Sequence, residues 1–463
     1  MMKANRIIIF IGGILLYSSC MVGPKYNQPD ISTSTKFSET FTTTIPSDTT
    51  NPYEWFKLFD DSTLVDLIKV ALDSNYDVRI AAKRIDESRA LYGMAKADLY
   101  PSFNYNGGYL HFNPTENAPV PIGTTYDYFR ANVGMSWEID FWGKIRHSKN
   151  QAYYQILASE DSRKAIQLSI VTDVATMYFN LVDLDNKIAI TQRTVDSRQK
   201  MFDIINNRYS YGDVPEIDKL QSEQQLEDVK AIVYQLERQI KSTERALCLL
   251  LAQTPRPIAR GKTIVDQTVS PYIPEGIPSD LLSQRPDIRA SEKQLQAQYE
   301  KIGMAVAMRY PSFQITGLFG FVSSDVTEII STGSITNYIS TSLTGPLFNF
   351  GKNKRRVESE KMKMEQLALT YQQNYIQALV EVENELTNVR TMKEELQHRK
   401  NQVDAATKVL ELSKARYTSG YTDFIEVLNS EQTLFTAELS YSTLMKEYLK
   451  AYVNLYKAFG GGW

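Results

Sequence analysis

The chain has 463 residues, a formal net charge of −3 and 43% hydrophobic residues. This balance gives no support for nucleic-acid binding, which normally leaves a basic stripe, and the length is ample for a large core. Its two cysteines, Cys20 and Cys248, are too far apart for a disulfide framework, and its three histidines are scattered without ligand spacing. We therefore predict no metal, no cofactor and no catalytic residues, and we expect Cys248 to be a small buried hydrophobe.

The first 19 residues have the features of a signal peptide. Lys3 and Arg6 form a basic start, and the apolar run at 7–16 is too short to cross a bilayer. Two serines then directly precede Cys20, as in bacterial lipoproteins whose cysteine carries acyl chains. An ordinary secretory signal with a chance cysteine is the alternative. We predict lipidation at Cys20, attachment to membrane lipid, and no transmembrane helix, because no later apolar run reaches 18 residues.

Residues 20–60 are predicted to form a lipidated, extended N-terminal segment, rich in Ser, Thr and Pro at 31–52. Helical periodicity then begins near Asp61 and runs to about Leu99. Pro101 ends it, because proline disfavours helix in the residue before it.

Alternation of apolar and polar residues follows and predicts strands. It is strict from Phe129 to Phe141, which is long for a soluble strand and typical of a membrane-crossing one. Residues 101–112, 313–321 and 339–344 alternate less cleanly. Four strands cannot close a barrel, and open sheet edges are not tolerated in lipid, so several chains must share one barrel. A strand pair on a soluble core is the alternative.

Two proline-free stretches, 144–209 and 352–417, predict helices of about 100 Å. A turn at Gly212 or Gly420 reverses the chain, and a second helix of about 35–40 residues returns in each case. A Pro-rich bridge at 255–286 separates the two halves.

The halves are copies of one unit. Eight of eleven residues at 93–103 recur at 303–313, an offset of 210, and the Arg-Tyr-x-x-Gly motif at 208–212 recurs at 416–420, an offset of 208. We predict a signal peptide at 1–19, the N-terminal segment at 20–60, a first repeat at 61–254, a linker at 255–285 and a second repeat at 286–463.

These features together resemble the TolC family of outer-membrane efflux channels, in its lipoprotein (NodT-type) branch. The resemblance covers nearly the whole mature chain and rests on six segments: Cys20–Pro29, Trp55–Asp61, Ala71–Asn75, Arg285–Glu292 and the two Arg-Tyr-x-x-Gly turns. It implies a mostly α fold with a small β part. The expected homotrimer has a 12-stranded outer-membrane β-barrel continued by a 12-helix periplasmic α-barrel. The implied function is the passive exit duct of a tripartite pump, with a periplasmic adaptor (membrane fusion protein) and an inner-membrane transporter, RND-type in this branch.

The same resemblance assigns roles at the helix turns. Turn residues meet the adaptor in the family, although glycine there also serves simple chain reversal. The residues concerned are Tyr211, Gly212, Asp213, Ser419, Gly420 and Tyr421.

One turn beyond, acidic residues constrict the closed periplasmic mouth in the family. The matching positions are Glu426 and Asn429 in the second copy and Asp218 and Gln221 in the first; Asn429 departs from the acidic pattern. Glu426 equally fits a capping box with Asp423, as Glu216 does with Asp213. Three Glu426 carboxylates in a trimer would favour cations and raise one another's pKa.

Tyr209 and Tyr417 either hydrogen-bond across neighbouring helix pairs to hold the mouth shut or serve packing alone. Other classes of protein remain as alternatives: a periplasmic adaptor, a structural outer-membrane lipoprotein and a type I secretion duct. An adaptor has one helical hairpin, and a structural lipoprotein has no need of the alternation at 129–141. An enzyme is the least favoured class, because no nucleophile, base and metal ligands converge.

Overall fold

The computed structural model describes residues 21–29, 59–113, 115, 126–267 and 279–461. It is mostly helical with one small sheet, as predicted. The residues form two compact units, one within 1–30, 83–160 and 290–372, the other within 31–82, 161–289 and 373–463. Each unit draws on both copies of the repeat. The signal peptide, Cys20 and the Ser/Thr-rich segment at 31–52 lie outside the described residues.

The first helical stretch is two helices rather than the continuous one predicted from periodicity. Helix α1 (Ser62–Ser74) begins after Asp61, whose carboxylate accepts the backbone N–H of Thr63 at 3.0 Å. Helix α2 (Tyr76–Ala97) begins after Asn75. The Asn75 amide oxygen accepts the N–H of Asp77 at 2.8 Å, which caps the second helix and interrupts the first. The predicted end before Pro101 is confirmed.

The alternating segments form one antiparallel sheet in the order β1-β2-β3-β4. Its strands are β1 (Ser102–Phe112), β2 (Tyr126–Ile139), β3 (Ser312–Ser323) and β4 (Ile335–Thr344). Short 3-10 turns at Val326–Glu328 and Thr332–Ser334 separate the last two strands. Because β2 pairs with β3, the sheet joins the hairpin of the first copy to that of the second.

The two copies have helices of identical length. Helices α3 (Lys144–Ser210) and α6 (Lys352–Thr418) have 67 residues each, and α4 (Glu216–Leu250) and α7 (Phe424–Ala458) have 35 each. At 1.5 Å per residue the longer pair spans about 100 Å. The predicted bounds are therefore right to within one residue at both ends of each long helix. Helix α5 (Pro286–Ala307) follows a 3-10 turn at Ser279–Gln284.

One stretch of α3 is strongly apolar, and more than half of it is buried. Among the described residues, α3 alone contains an 18-residue window as hydropathic as a membrane-spanning helix, and 56% of that window is buried inside the chain. Val174, Tyr178, Phe179 and Leu181 are 0% exposed. A helix with this pattern is typical of the core of a large protein.

The described part of the predicted bridge, 255–267, is packed onto α1, α3 and α4 rather than extended. Asp61 is its anchor: the buried carboxylate accepts hydrogen bonds from Tyr178 Oη at 2.7 Å, Gln267 Nε2 at 2.7 Å and the N–H of Lys262 at 3.2 Å. A side chain at Gly261 would place its Cβ 2.1 Å from the same carboxylate. Position 261 therefore requires glycine for close approach.

Candidate functional site

The two helix turns are built alike. Gly212 has φ = 80° and Gly420 has φ = 76°. In the first turn the N–H of Gly212 donates to the carbonyl of Tyr209, and the N–H of Asp213 donates to that of Arg208, both at 2.9 Å. The second turn repeats this pair of bonds, which is the Schellman arrangement with glycine in the left-handed conformation. Backbone geometry therefore accounts for both glycines.

The aromatic residues beside these glycines are turned towards solvent. Tyr211 is 84% exposed and Tyr421 is 80% exposed, although both carry large apolar rings. Asp213, Ser419 and both glycines are exposed as well. All six residues predicted to contact the adaptor thus share one exposed tip, and no contact within the described chain explains its two tyrosines.

Glu426 lies in the first turn of α7 and is held by side chains of its own copy. Its carboxylate accepts hydrogen bonds from the hydroxyls of Thr422 and of Ser413, the latter at 3.2 Å. Arg416 Nε lies 3.9 Å from the same group. The hydrogen bond from Thr422 contributes most to a lowered pKa of Glu426, with Arg416 and Ser413 adding to it. In the single chain the carboxylate is therefore stabilised in its charged form.

Asp218, the matching residue of the first copy, is not held in this way. At the offset of 208, Val214 and Ile205 stand where Thr422 and Ser413 stand in the second copy. Neither can donate a hydrogen bond from its side chain. Within the described residues the Asp218 carboxylate has no side-chain partner, and it is half-buried. The two copies thus offer one constrained and one unconstrained carboxylate.

The capping boxes considered for Glu426 and Glu216 are not found in the structure. Asp423 occupies the N-cap of α7 but makes no side-chain capping bond, and α4 has Pro215 rather than Asp213 at its N-cap. Neither capping box therefore forms. The carboxylate of Glu426 accepts hydrogen bonds from Thr422 and Ser413 instead. Within one chain the hydrogen bond from Thr422 lowers the pKa of Glu426; the rise expected from three carboxylates meeting in a trimer stays a prediction.

Tyr417 connects the two helical hairpins of the chain, whereas Tyr209 makes no such contact among the described residues. The Tyr417 hydroxyl accepts a hydrogen bond from Arg208 Nη1 at 3.1 Å, and its ring contacts Phe424 at 5.6 Å. It packs against a buried cluster of Ile205, Phe424, Val427 and Leu428. Tyr209 instead has Lys219 Nζ 5.2 Å from its ring centre. Hydrogen bonding and packing, considered as alternatives for Tyr417, thus occur together.

Asn429 and Gln221, the remaining predicted mouth residues, have no side-chain hydrogen bond among the described residues. Asn429 is exposed and lines an open groove with Ala406, Val409 and Glu426. Gln221 is half-buried. Of the six predicted mouth residues, only Glu426, Tyr417 and Tyr209 have a side-chain partner in the described chain.

A buried polar layer near the turns was not predicted. Arg198, 2% exposed, donates to the carbonyl of Gln225 at 2.6 Å and to Gln432 Oε1 at 2.7 Å, and its Nε lies 3.6 Å from Glu431. Lys414 Nζ lies 3.6 Å from the same glutamate. Burial lowers the pKa of Arg198, while Glu431 opposes that change. The layer joins α3, α4, α6 and α7, and a lone arginine in a helix gives no sequence signal for it.

The segment that follows Cys20 is seated in a fitted groove beside the end of β2. The N–H of Val22 donates to the carbonyl of Trp142 at 3.1 Å, and the carbonyl of Val22 lies 2.9 Å from His147 Nε2. His147 Nδ1 lies 2.5 Å from Glu300 Oε2. The acceptor residue Trp142 comes three residues after β2 ends, so Val22 lies next to the strands.

The groove continues along α5. Tyr26 donates to Glu292 Oε1 at 3.1 Å and meets Tyr299 edge to face at 5.3 Å. Gln28 donates to the hydroxyl of Tyr371 at 3.2 Å. The residues next to the expected acyl anchor are thus fixed by side chains from α3, α5 and α6.

We expect Gly303→Ala to displace this segment, because a Cβ at position 303 would lie 2.3 Å from the His147 ring. Gly93→Ala is the matched control: Gly93 is the same position of the first copy, and a Cβ there meets nothing within 4 Å. Hydrogen exchange at the amide of Val22 should quicken at least about tenfold in the first variant, a loss of about 1.4 kcal/mol of local stability. Equal protection in both variants would show that the groove does not hold the segment.

Comparison with known proteins supplies the family. A family model described as "Outer membrane efflux protein" matches residues 67–253 and 277–461. The chain is 28% identical over 467 residues to the probable outer membrane lipoprotein SilC of Salmonella typhimurium, covering 98% of both chains. It is 29% identical over 409 residues to the solvent efflux pump outer membrane protein SrpC of Pseudomonas putida, covering 88% and 87%. The crystal structure of the Campylobacter jejuni CmeC outer membrane channel matches with a TM-score of 0.89, 25% identity, and 96% and 95% coverage.

Proposed function

The chain belongs to the outer membrane efflux protein family, and we propose that it is the outer-membrane exit duct of a tripartite efflux pump. The observation that carries this proposal is the four-stranded sheet, whose edge strands β1 and β4 present exposed aromatic and apolar residues. Such edges must be paired inside lipid. Three copies together supply twelve strands to one barrel, so we propose a homotrimer.

The pump's other components follow from the same assignment. A passive duct needs an energy source, which we propose to be an inner-membrane transporter of the RND type, joined through a periplasmic adaptor. The exposed tip formed by Tyr211, Gly212, Asp213, Ser419, Gly420 and Tyr421 is the proposed adaptor contact. The relative SrpC is described as part of a solvent efflux pump, which supports a pump partner. We propose transport and no catalysis.

We propose that the mouth of the duct is lined near the tips by Asp218, Gln221, Glu426 and Asn429. Tyr209 and Tyr417 are the proposed packing residues of that mouth. The support is the exposure or partial exposure of these side chains, together with the Arg208–Tyr417 contact that links the two hairpins. When an adaptor binds, rearrangement of the hairpins widens the mouth, a shift between two packed states.

We also propose lipidation at Cys20 and the division into repeats at 61–254 and 286–463 around a linker at 255–285. The groove that seats Val22 and Tyr26 supports an anchor at position 20, and SilC is described as an outer membrane lipoprotein. Palmitate supplied to growing cells should label the wild-type protein and leave the Cys20→Ser variant unlabelled. Equal labelling of both would contradict lipidation at Cys20.

The proposed function is tested by crosslinking the tagged protein in cells and identifying what copurifies by mass spectrometry. We expect a homotrimer together with an adaptor and an inner-membrane transporter. A variant with both tip tyrosines replaced, Tyr211→Ala/Tyr421→Ala, should retain the trimer and lose most of the adaptor. Recovery of the protein only with itself or with cell-wall components would overturn the proposal in favour of a structural lipoprotein, and an ABC-type transporter would indicate a type I secretion duct.

A further inference from the structure

The two strand hairpins of the chain are related by the repeat at the level of individual residue pairs. Ser102 pairs with Ser136 in the first hairpin, and Ser312 pairs with Thr344 in the second. Each leading serine donates its hydroxyl to its partner's carbonyl at 3.1 Å. The first strands therefore correspond at an offset of 210 (312 − 102) and the second strands at 208 (344 − 136). The copies thus share one hairpin register.

The junction between the two hairpins is also visible within the chain. Strand β2 pairs with β3 so that Ser136 lies opposite Thr316, and every pair in this ladder has numbers that sum to 452. Beyond the strand end, Trp142 stacks on Tyr310 at 4.5 Å and donates its Nε1–H to the carbonyl of Pro311 at 2.9 Å. Specific strand pairing and side-chain contacts therefore join the first copy of the repeat to the second.

At the outer ends of the sheet, the residues that correspond to this junction have no partner on another hairpin among the described residues; the ring of Phe350 contacts the nearby ring of Phe348 at 4.6 Å. Tyr100 corresponds to Tyr310 at the offset of 210 and is 63% exposed. Phe350 corresponds to Trp142 at the offset of 208 and is 90% exposed. Along the edge strands, Tyr105 is 92% exposed and Leu343 is 69% exposed. The two opposite edges of the sheet thus expose residues that correspond to the two sides of the internal junction.

We propose that a second copy of this chain closes the junction in one defined register, with β4 of one subunit pairing with β1 of the next so that paired residue numbers sum to 450. This inference rests on the proposed trimer. The value follows from the internal ladder of β2 and β3. A residue of β4 is numbered 208 above its counterpart in β2, and a residue of β1 is numbered 210 below its counterpart in β3, so the sum becomes 452 + 208 − 210 = 450. Thr344 then lies opposite Asn106 of the partner subunit, and Ser342 lies opposite Gly108 of the partner subunit. Phe350 meets Tyr100 of the partner subunit.

The proposed register keeps the apolar faces together. Odd-numbered residues form the apolar face of β2 and β3, where Val133 lies opposite Phe319. A sum of 450 sets odd residues of β4, such as Leu343, against odd residues of β1. A slip of one residue would put Leu343 on the opposite face from its apolar neighbours, which excludes odd sums. The competing registers are therefore those displaced by two residues, with sums of 448 and 452.

Paired cysteines test the register directly. Directly opposed strand residues have Cβ atoms about 4.5–5.5 Å apart, whereas diagonal neighbours are about 7–8 Å apart, and a disulfide cannot bridge Cα atoms more than about 7 Å apart. Asn106→Cys/Thr344→Cys tests a sum of 450. Asn106→Cys/Ser342→Cys tests 448, and Gly108→Cys/Thr344→Cys tests 452. Buried Cys248 does not compete.

Ser136→Cys/Thr316→Cys is the matched control. Ser136 and Thr316 lie opposite each other at the junction inside the chain, at the positions that correspond to Thr344 and Asn106. It should form a disulfide within one subunit and so report that the barrel folds and that the cells oxidise such pairs. All variants are made in the full-length chain, isolated in outer membranes and separated under non-reducing denaturing conditions, with maleimide labelling to count free thiols.

We expect the 450 pair to yield a covalent trimer that reductant converts to monomer, at least about fivefold more abundant than with either displaced pair, given the distance limit on disulfides. The control should remain monomeric, and maleimide should not label its two introduced cysteines because they form a disulfide with each other. A greater yield from the 448 or 452 pair would overturn the register and leave the trimer standing. Formation of the control disulfide without any intersubunit product would overturn both the register and the shared barrel.

Discussion

The wild-type duct is expected to prefer cations over anions in planar bilayers, and the double variant Asp218→Ala/Glu426→Ala is expected to lose most of that preference. The trimer carries three copies of each carboxylate at the proposed mouth, and rings of acidic side chains favour cations. The reversal potential in a salt gradient measures this preference. We expect the ratio of cation to anion permeability to fall several-fold, with most of the effect from Asp218, which has no side-chain partner in the described chain.

A matched variant separates charge from packing at the mouth. Asp218→Asn/Glu426→Gln removes the same charges but keeps the size of both side chains and the acceptor that Thr422 uses. It should lower the cation preference as far as the alanine pair does. Because the Thr422 hydrogen bond lowers the pKa of Glu426, the smaller part of the preference that Glu426 contributes should persist at pH values where ordinary carboxyl groups are already partly protonated. An unchanged reversal potential in both double variants would remove these residues from the mouth.

The second large expected effect is on stability. Asp61→Ala should destabilise the chain by about 3–5 kcal/mol, because each hydrogen bond to a buried charge contributes about 1.5–3 kcal/mol and the side chains of Tyr178 and Gln267 both lose their acceptor. Asp60→Ala is the control. Asp60 is the adjacent residue, has an 81% exposed side chain and pairs only with the Lys262 ammonium among the described residues, so its loss costs about 0–1 kcal/mol. Thermal unfolding of the purified proteins in detergent compares the two.

The contribution of Asp61 should depend on pH in a defined direction. Burial raises the pKa of Asp61, but the hydrogen bonds from Gln267 and Tyr178 outweigh it and hold the pKa below its usual value. A carboxyl whose folded pKa is lowered stabilises fully above its unfolded pKa of about 3.9 and loses that contribution as pH falls through the folded value. The difference between wild type and Asp61→Ala should therefore be full at pH 7 and shrink below about pH 4. A difference that grew on acidification would contradict this assignment.

The repeat made much of the fold predictable. Offsets of 210 and 208 allow each helix and strand of one copy to be checked against the other, and the glycines at 212 and 420 mark both turns because only glycine readily adopts their left-handed backbone. Alternation of apolar and polar residues predicts the end of β2 to within two residues. The break at Asn75 was not predicted, because a single side-chain cap decided between one long helix and two.

The repeat predicts which residues lie near the helix turns, but it does not predict which side chains they contact. Register identified Glu426, but its partner Ser413 lies 13 residues earlier on the other helix of the hairpin, a pairing that periodicity does not reveal. The same limit applies to Arg198 and Glu431, which come from different copies of the repeat and meet only when the hairpins pack. The arginine of each Arg-Tyr-x-x-Gly motif was a usable signal, since Arg208 and Arg416 both contact the predicted mouth residues.

The most direct test of whether this chain forms a duct is the single-channel current of the protein, purified from outer membranes, in a planar lipid bilayer. If copies of this chain share one outer-membrane barrel, the trimer should insert and give discrete, uniform steps of ionic current. Folded protein that binds the bilayer and never produces a step above the lipid alone would contradict the claim that this chain forms a duct.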